Sequence, residues 1–213
     1  MKYVPSALCL VLFALTGLAA AQDEPKPTVS LKPLSTEQLS IYHAVLAGFM
    51  DQDTPQVNLA DRTVLFGATG PARDESCGKD LDLEPMSPTL VHQFRLADLA
   101  QLSSDKINLV NRSRGEKNVK DNDPWAGIQQ GHSVEDSVRN GFAHGLFTFS
   151  EIQFDKSHTH AIVSYSFVCG RLCGNGAEVV LEKTETGWRL EKRCGVWISR
   201  TVPARRCATG SPS

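Results

Sequence analysis

In Cys169-Gly-Arg-Leu-Cys173 two thiols stand four positions apart with a glycine beside the first, a pairing able to close a small ring at a tight turn. Three further cysteines follow the first 21 residues: Cys77, Cys194 and Cys207. All five are disulfide candidates, and an odd number leaves one thiol free or open to another chain. The spacing suits a staple within the tip, or one from the tip to Cys194. Thiol-disulfide chemistry is the sharper alternative, because a bridge in a short exposed loop is easily reduced. Against it, redox cysteines commonly have two residues between them at a helix N-terminus, where the dipole stabilises a thiolate, whereas here three residues intervene, between strand-like runs. A four-cysteine zinc site normally shows two close pairs, and this chain has one.

His158 and His160 lie two apart at the start of a strand-like run, so their rings could point to one side and share a metal ion. Only Asp155 stands near them at ligand spacing, and a turn-and-edge role beside Lys156 and Ser157 is the plainer reading. His144 with Ser133, Glu135 and Asp136 has the residue types of a hydrolytic triad, but no glycine-flanked nucleophile accompanies them. Asn111-Arg112-Ser113 matches a glycosylation acceptor, which matters only in a eukaryotic host. Trp125 is an aromatic in a polar stretch, available either as a contact for a ligand or as a pin into the core. No motif calls for a cofactor.

The elements that must carry these residues begin with a leader. Lys2 precedes an apolar run from Ala7 to Leu18 and then Ala19-Ala20-Ala21, the three parts of a secretory signal peptide cleaved after Ala21. The apolar core is too short to span a bilayer, so no stable membrane anchor remains after cleavage. Cys9 lies inside that run and not at the cleavage point, as a lipid-bearing cysteine would. Without the leader's one charge, the formal net charge of −2 becomes −3. There is no basic stripe for nucleic acid and no polybasic patch for anionic lipid. The remaining length suits one domain.

Residues 22–34 contain Pro25, Pro27 and Pro33 among polar neighbours and read as a flexible linker. Ser35 with Gln38 forms a capping box, and Leu39, Tyr42, Val45, Leu46 and Phe49 repeat at helical spacing, predicting a helix over 36–50. Arg62 to Phe66 reads as a short strand stopped by Gly67. Ser87-Pro88 followed by Leu90, Val91, Phe94 and Leu96 to Leu99 predicts a second helix. Residues 111–140 are polar and turn-rich, a long connection that is either functional or mobile.

Runs over Leu146 to Phe154, His160 to Val168, Ala177 to Lys183 and Trp188 to Ile198 alternate at strand period, with Gly174-Asn175-Gly176 among the breaks, and predict a four-stranded antiparallel meander. Ala161, Val163, Tyr165, Phe167, Val179 and Leu181 share one face, as do Trp188, Leu190, Cys194, Val196 and Ile198. Glu178, Glu182, Glu191 and Arg193 alternate to a face expected in solvent.

The helix Ile41-Tyr42-His43-Ala44-Val45-Leu46, Phe154-Asp155-Lys156, Ala161-Ile162-Val163-Ser164-Tyr165, Cys169-Gly-Arg-Leu-Cys173-Gly-Asn-Gly176, Leu181-Glu-Lys183, Gly187-Trp188 and Trp197-Ile198-Ser199 together resemble an uncharacterised group of exported bacterial proteins. The resemblance covers most of 36–199 and is sharpest from Ser150 to Ser199. It implies a bacterial origin and a recurring hairpin tip, and it brings no activity and no catalytic residue with it.

The expected architecture is α+β: an antiparallel four- to five-stranded sheet with one or two N-terminal helices packed on one face. Its domain spans 35–200, followed by a C-terminal tail over 201–213. The expected role is an exported non-catalytic binding or interaction domain, secreted or periplasmic, for a small ligand or a protein partner. That reading entails no buried cluster of titratable groups converging on a cavity. The alternative is a secreted enzyme, a hydrolase or a thiol-disulfide protein, using 111–140 or the Cys169/Cys173 tip.

Overall fold

A computed structural model of the chain describes residues 30–50, 56–65, 77–102 and 105–199. The leader 1–21, most of the linker and the tail with Cys207 lie outside the described residues. The last five linker positions do not: Ser30–Pro33 forms strand β1, paired in parallel with β3, Leu90–Gln93, and Leu34 is buried in the main core, so this end of the linker is ordered. That pairing corrects two expectations, since Leu90 to Gln93 is a strand and not the start of a second helix. Only a 3-10 turn, Leu96–Ala100, follows it, tied by Asp98 to the backbone and guanidinium of Arg95.

Helix α1 spans Thr36–Phe49, and Ser35 and Gln38 exchange the two hydrogen bonds of the capping box. Its Leu39, Tyr42, Val45 and Leu46 lie in the main core with Phe147, Phe149, Val163, Val179 and Leu181 of the sheet. Tyr42 is wholly enclosed and its hydroxyl donates to the Ser150 carbonyl at 2.9 Å. Burial first, then the nearby Glu151 carboxylate, push its pKa well above the ordinary value, so it stays a donor.

The sheet is larger and more mixed than the expected meander. Among the described residues seven strands join: β2 Val57–Ala60, β4 Ile107–Val110, β5 Leu146–Phe149, β6 Gln153–Phe154, β7 His160–Gly170, β8 Cys173–Thr184 and β9 Gly187–Ile198. The order is β4-β2-β5-β7-β8-β9, with β6 also on β7. The antiparallel half matches the alternating runs in the sequence. The parallel pairs β2–β4 and β2–β5 were not legible, because each strand is only four residues long. Arg62 to Phe66 is not a strand: Arg62 and Val64 make single bridges, and Phe66 lies outside the described residues.

A parallel crossover needs a dozen or more residues, usually helical. Here it is supplied by the segment expected as a polar loop, which folds as α2 Arg112–Asp121, α3 Pro124–Gln129 and α4 Val134–His144. Each has a side-chain N-cap, from Asn111, Asp123 and Ser133 respectively.

The face expected in solvent is partly covered. Ile162, Val180 and Cys194 pack with Cys77, Leu81 and Leu83 in a second cluster, and Glu178 beside them is buried. The pairing of β8 with β9 shifts register between Val180 and Leu181, and again between Gly176 and Glu178. These bulges turn Cys194 away from Trp188 and Leu190, which remain against the main core, and let Arg193 reach the Gly48 carbonyl at the end of α1. Gly174-Asn175-Gly176 is not the turn. It lies within β8, and the hairpin closes over Arg171-Leu172.

The turn from β6 to β7 is organised by Asp155, which accepts from the backbone N–H groups of Thr159 and His160 at 2.9 and 2.7 Å and from the Ser157 hydroxyl. Burial raises its pKa, but these donors outweigh it and hold the carboxyl at about 2, below the ordinary 3.8. A depressed carboxylate stabilises the fold fully above the unfolded pKa near 4 and loses that contribution as pH falls toward 2. In acid titrations of stability, Asp155→Asn is therefore expected to remove part of the slope between about pH 4 and 2. An unchanged slope would contradict this assignment.

Candidate functional site

Helices α3 and α4, the β7–β8 tip and the end of β9 enclose a concavity. Asp123 is the joint: it is buried, its Oδ1 accepts from the Trp125 and Arg171 N–H groups, and its Oδ2 accepts from Arg171 Nε at 2.6 Å. One carboxylate thereby caps α3 and holds the hairpin tip. Gly170 makes the approach feasible, since at φ +151 a Cβ there would meet Asp123 Oδ1 and Pro124 Cδ at 2.6 Å. Gly141 does the same for α4, where a Cβ would meet Pro124 Cγ at 2.4 Å and the Cys169 carbonyl at 2.9 Å.

Cys169 and Cys173 are bridged across this tip with Cα atoms 5.0 Å apart, while Cys77 pairs with Cys194 at 5.8 Å. Of the candidate connectivities, the first is the staple within the tip. Cys194 pairs with Cys77 and not with the tip. Two disulfides place the folded chain in an oxidising environment.

Around the Cys169–Cys173 bridge lies a groove of about 480 Å³, lined by Trp125, Ile128, Val138, Phe142, Leu172 and Ile198, with Asn175 and Ser199 as polar groups. Trp125 is 40% exposed, Phe142 46%, Leu172 39% and Ile198 64%. Trp125 is therefore a wall of the groove and not a pin into the core. Phe142 touches Phe167 at 5.6 Å between ring centroids, which joins the groove floor to the core.

The other sequence candidates are dispersed. Ser133 and His144 flank an 11-residue helix, which separates them by roughly 16 Å, so they form no triad. The Ser133 hydroxyl serves the α4 N-terminus, and His144 Nδ1 meets the Asn140 carbonyl. Asn111 caps α2 and donates to Asp61 at 3.1 Å. His158 faces Glu84 at 3.1 Å and stacks on Phe154, whereas His160 lies 3.6 Å from Asp155. Among the described residues no group of three or more His, Cys, Asp or Glu side chains is placed to hold a metal, and no helix is long and apolar enough to cross a membrane.

A second polar centre had no sequence signal. The buried carboxylate of Glu151 accepts from the Thr63 hydroxyl, from the His92 N–H at 2.7 Å and from His92 Nδ1 at 2.7 Å. Gln38 Oε1 accepts from Ser35 N–H in the capping box, so its amide nitrogen faces His92 Nε2 at 3.4 Å as the donor. That orientation assigns the proton of His92 to Nδ1. The pair borders a cavity of about 200 Å³ that Glu84 also lines, so titratable groups do converge on a cavity, contrary to the expectation for a non-catalytic domain. Gln38, His92 and Glu151 are separated by 54 and 59 positions in the chain and sit in unremarkable local patterns.

No family model matches the chain, and no curated protein or solved structure matches it either.

Proposed function

We propose that the protein is an exported, non-catalytic binding domain that takes a small apolar or aromatic ligand in the groove between α3, α4 and the β7–β8 tip. The observation that carries this reading is the gathering of large accessible side chains, Trp125, Val138, Phe142, Leu172 and Ile198, around one concavity. Apolar residues exposed singly need no explanation, but a contiguous apolar patch on a fixed scaffold marks a contact site. A volume of about 480 Å³ falls within the range of small-molecule sites, roughly 300–1,000 Å³. The lining carboxylate, Asp123, is already paired with Arg171, so the groove favours an uncharged body, with Asn175 and Ser199 available to one polar end.

Export belongs to the same proposal: the leader is removed after Ala21 and the domain works in a secreted or periplasmic setting, where its two disulfides persist. The buried His92–Glu151 pair at a cavity is what an enzyme would require, yet both ring nitrogens are engaged, by Glu151 and by Gln38. No nucleophile is hydrogen-bonded to that ring among the described residues. The thiol-disulfide alternative lacks its usual device, because Cys169 and Cys173 lie on strands β7 and β8 and not at a helix N-terminus.

Titration with the uncharged fluorophore N-phenyl-1-naphthylamine tests the reading. Saturable 1:1 enhancement is expected for the full chain, weakened at least tenfold in Trp125→Ala and in Phe142→Ser, a loss of about 1.4 kcal/mol or more. Equal binding by all three proteins would overturn it. Binding that emerges only in a chain ending at Ser199 would assign the groove to residues 200–213 instead.

A further inference from the structure

The cavity beside His92 is bordered by Gln38 near the N-terminus of α1 and shares no lining residue with the groove, and its lining has one chemical character. Gln153 is only 9% exposed; its Nε2 donates to the Glu84 carbonyl at 2.8 Å, while its Oε1 is buried with no partner. A buried acceptor without a donor costs about 1–3 kcal/mol, so an orphaned amide oxygen at a cavity is an invitation to a donor. Glu84 lines the same space with a carboxylate about half accessible, whose Oε1 meets His158 Nε2 at 3.1 Å, and the Glu151 carboxylate lies at the floor. No Lys or Arg lines the cavity, and Phe154 and Met86 supply a ring face and a thioether.

Acceptors, carboxylates and an aromatic face together complement one class of ligand. We infer that this cavity binds a small organic cation bearing N–H donors, a primary ammonium group on a short chain, with Gln153 Oε1 and the Glu84 carboxylate as acceptors and Phe154 beside the cation. A volume of about 200 Å³ equals roughly six or seven water molecules, room for an ammonium head and a few carbons and not for a larger body. The site does not depend on the apolar groove.

The test is a titration of the full chain with n-propylammonium chloride, followed by backbone amide shifts, with sodium propionate and zinc chloride as comparisons. Saturable shifts at Glu84, His92 and Gln153 are expected with propylammonium alone. Glu84→Gln and Gln153→Met should each weaken them at least fivefold, and Trp125→Ala should leave them unchanged, which separates this site from the groove. Absence of saturable shifts with propylammonium, equal response to propionate, or saturation by zinc alone would each overturn the inference.

Discussion

Glu151→Ala is expected to destabilise the protein by about 3 kcal/mol, the upper end of the cost of leaving a buried donor without its acceptor. The single carboxylate serves the Thr63 hydroxyl, the His92 backbone N–H and His92 Nδ1; the hydroxyl can still donate to the His92 carbonyl and the N–H to Thr63 Oγ1, whereas Nδ1 loses its acceptor. Domains of this kind hold about 5–15 kcal/mol in total, and the variant would lose a large share of it. Urea titration is the measurement, with Glu37→Ala as the comparison. Glu37 meets Lys183 on the surface, where an exposed pair contributes about 0–1 kcal/mol. Replacing Glu151 and His92 together by leucine should recover part of the loss, since the imidazole N–H that lost its acceptor is removed with it. A loss below about 1 kcal/mol for Glu151→Ala would mean that the network is not formed.

The two disulfides are expected to differ sharply in what their removal does. Cys77 and Cys194 close a loop of 117 residues, and the chain-entropy relation assigns such a closure about 5 kcal/mol, against roughly 2 kcal/mol for the separation of 4 between Cys169 and Cys173. Cys77 also holds the segment that covers Ile162 and Val180, so the long bridge protects buried surface as well. Cys77→Ser with Cys194→Ser should lower the melting temperature by about 10–20 °C, and Cys169→Ser with Cys173→Ser by roughly 4–8 °C. The second pair should weaken probe binding in the groove, whose wall that bridge forms. The first pair should leave binding in the surviving folded fraction unchanged. Similar thermal losses for the two pairs, or no effect of the short bridge on binding, would contradict these roles.

The features legible in the sequence are those whose signal is local and repeated. Ser35 and Gln38 announce α1, and the alternation through His160 to Ile198 announces β7 to β9, because period and cap are written within a few residues. The strands β2, β3 and β4 are four residues each and are specified by their partners, a tertiary effect that overrides local pattern. Leu90 to Gln93 illustrates this: its apolar spacing suits a helix, and pairing with Ser30–Pro33 makes it a strand.

The segment 111–140 misleads for another reason. Helix α2 offers the core little beyond Gly115 and Val119, so apolar periodicity is nearly absent. Its punctuation was nevertheless present in Asn111, Asp123-Pro124 and Ser133 with Asp136, each an N-cap signature. Trp125 was identifiable as a candidate contact, but its neighbours in the groove come from α4, the hairpin tip and the end of β9, which no local pattern unites. The register shifts in β9 likewise reversed the faces assigned to Cys194 and Arg193.

The central claim is that the groove at the Cys169–Cys173 tip is where this protein meets an apolar ligand. The most direct test is the map of side-chain and backbone chemical shifts on saturating the full chain with N-phenyl-1-naphthylamine. The account predicts the largest changes at the Trp125 indole, Phe142, Leu172 and Ile198, with the far face around Cys77 and Leu83 unmoved. Changes centred elsewhere, or spread evenly over the surface, would contradict it.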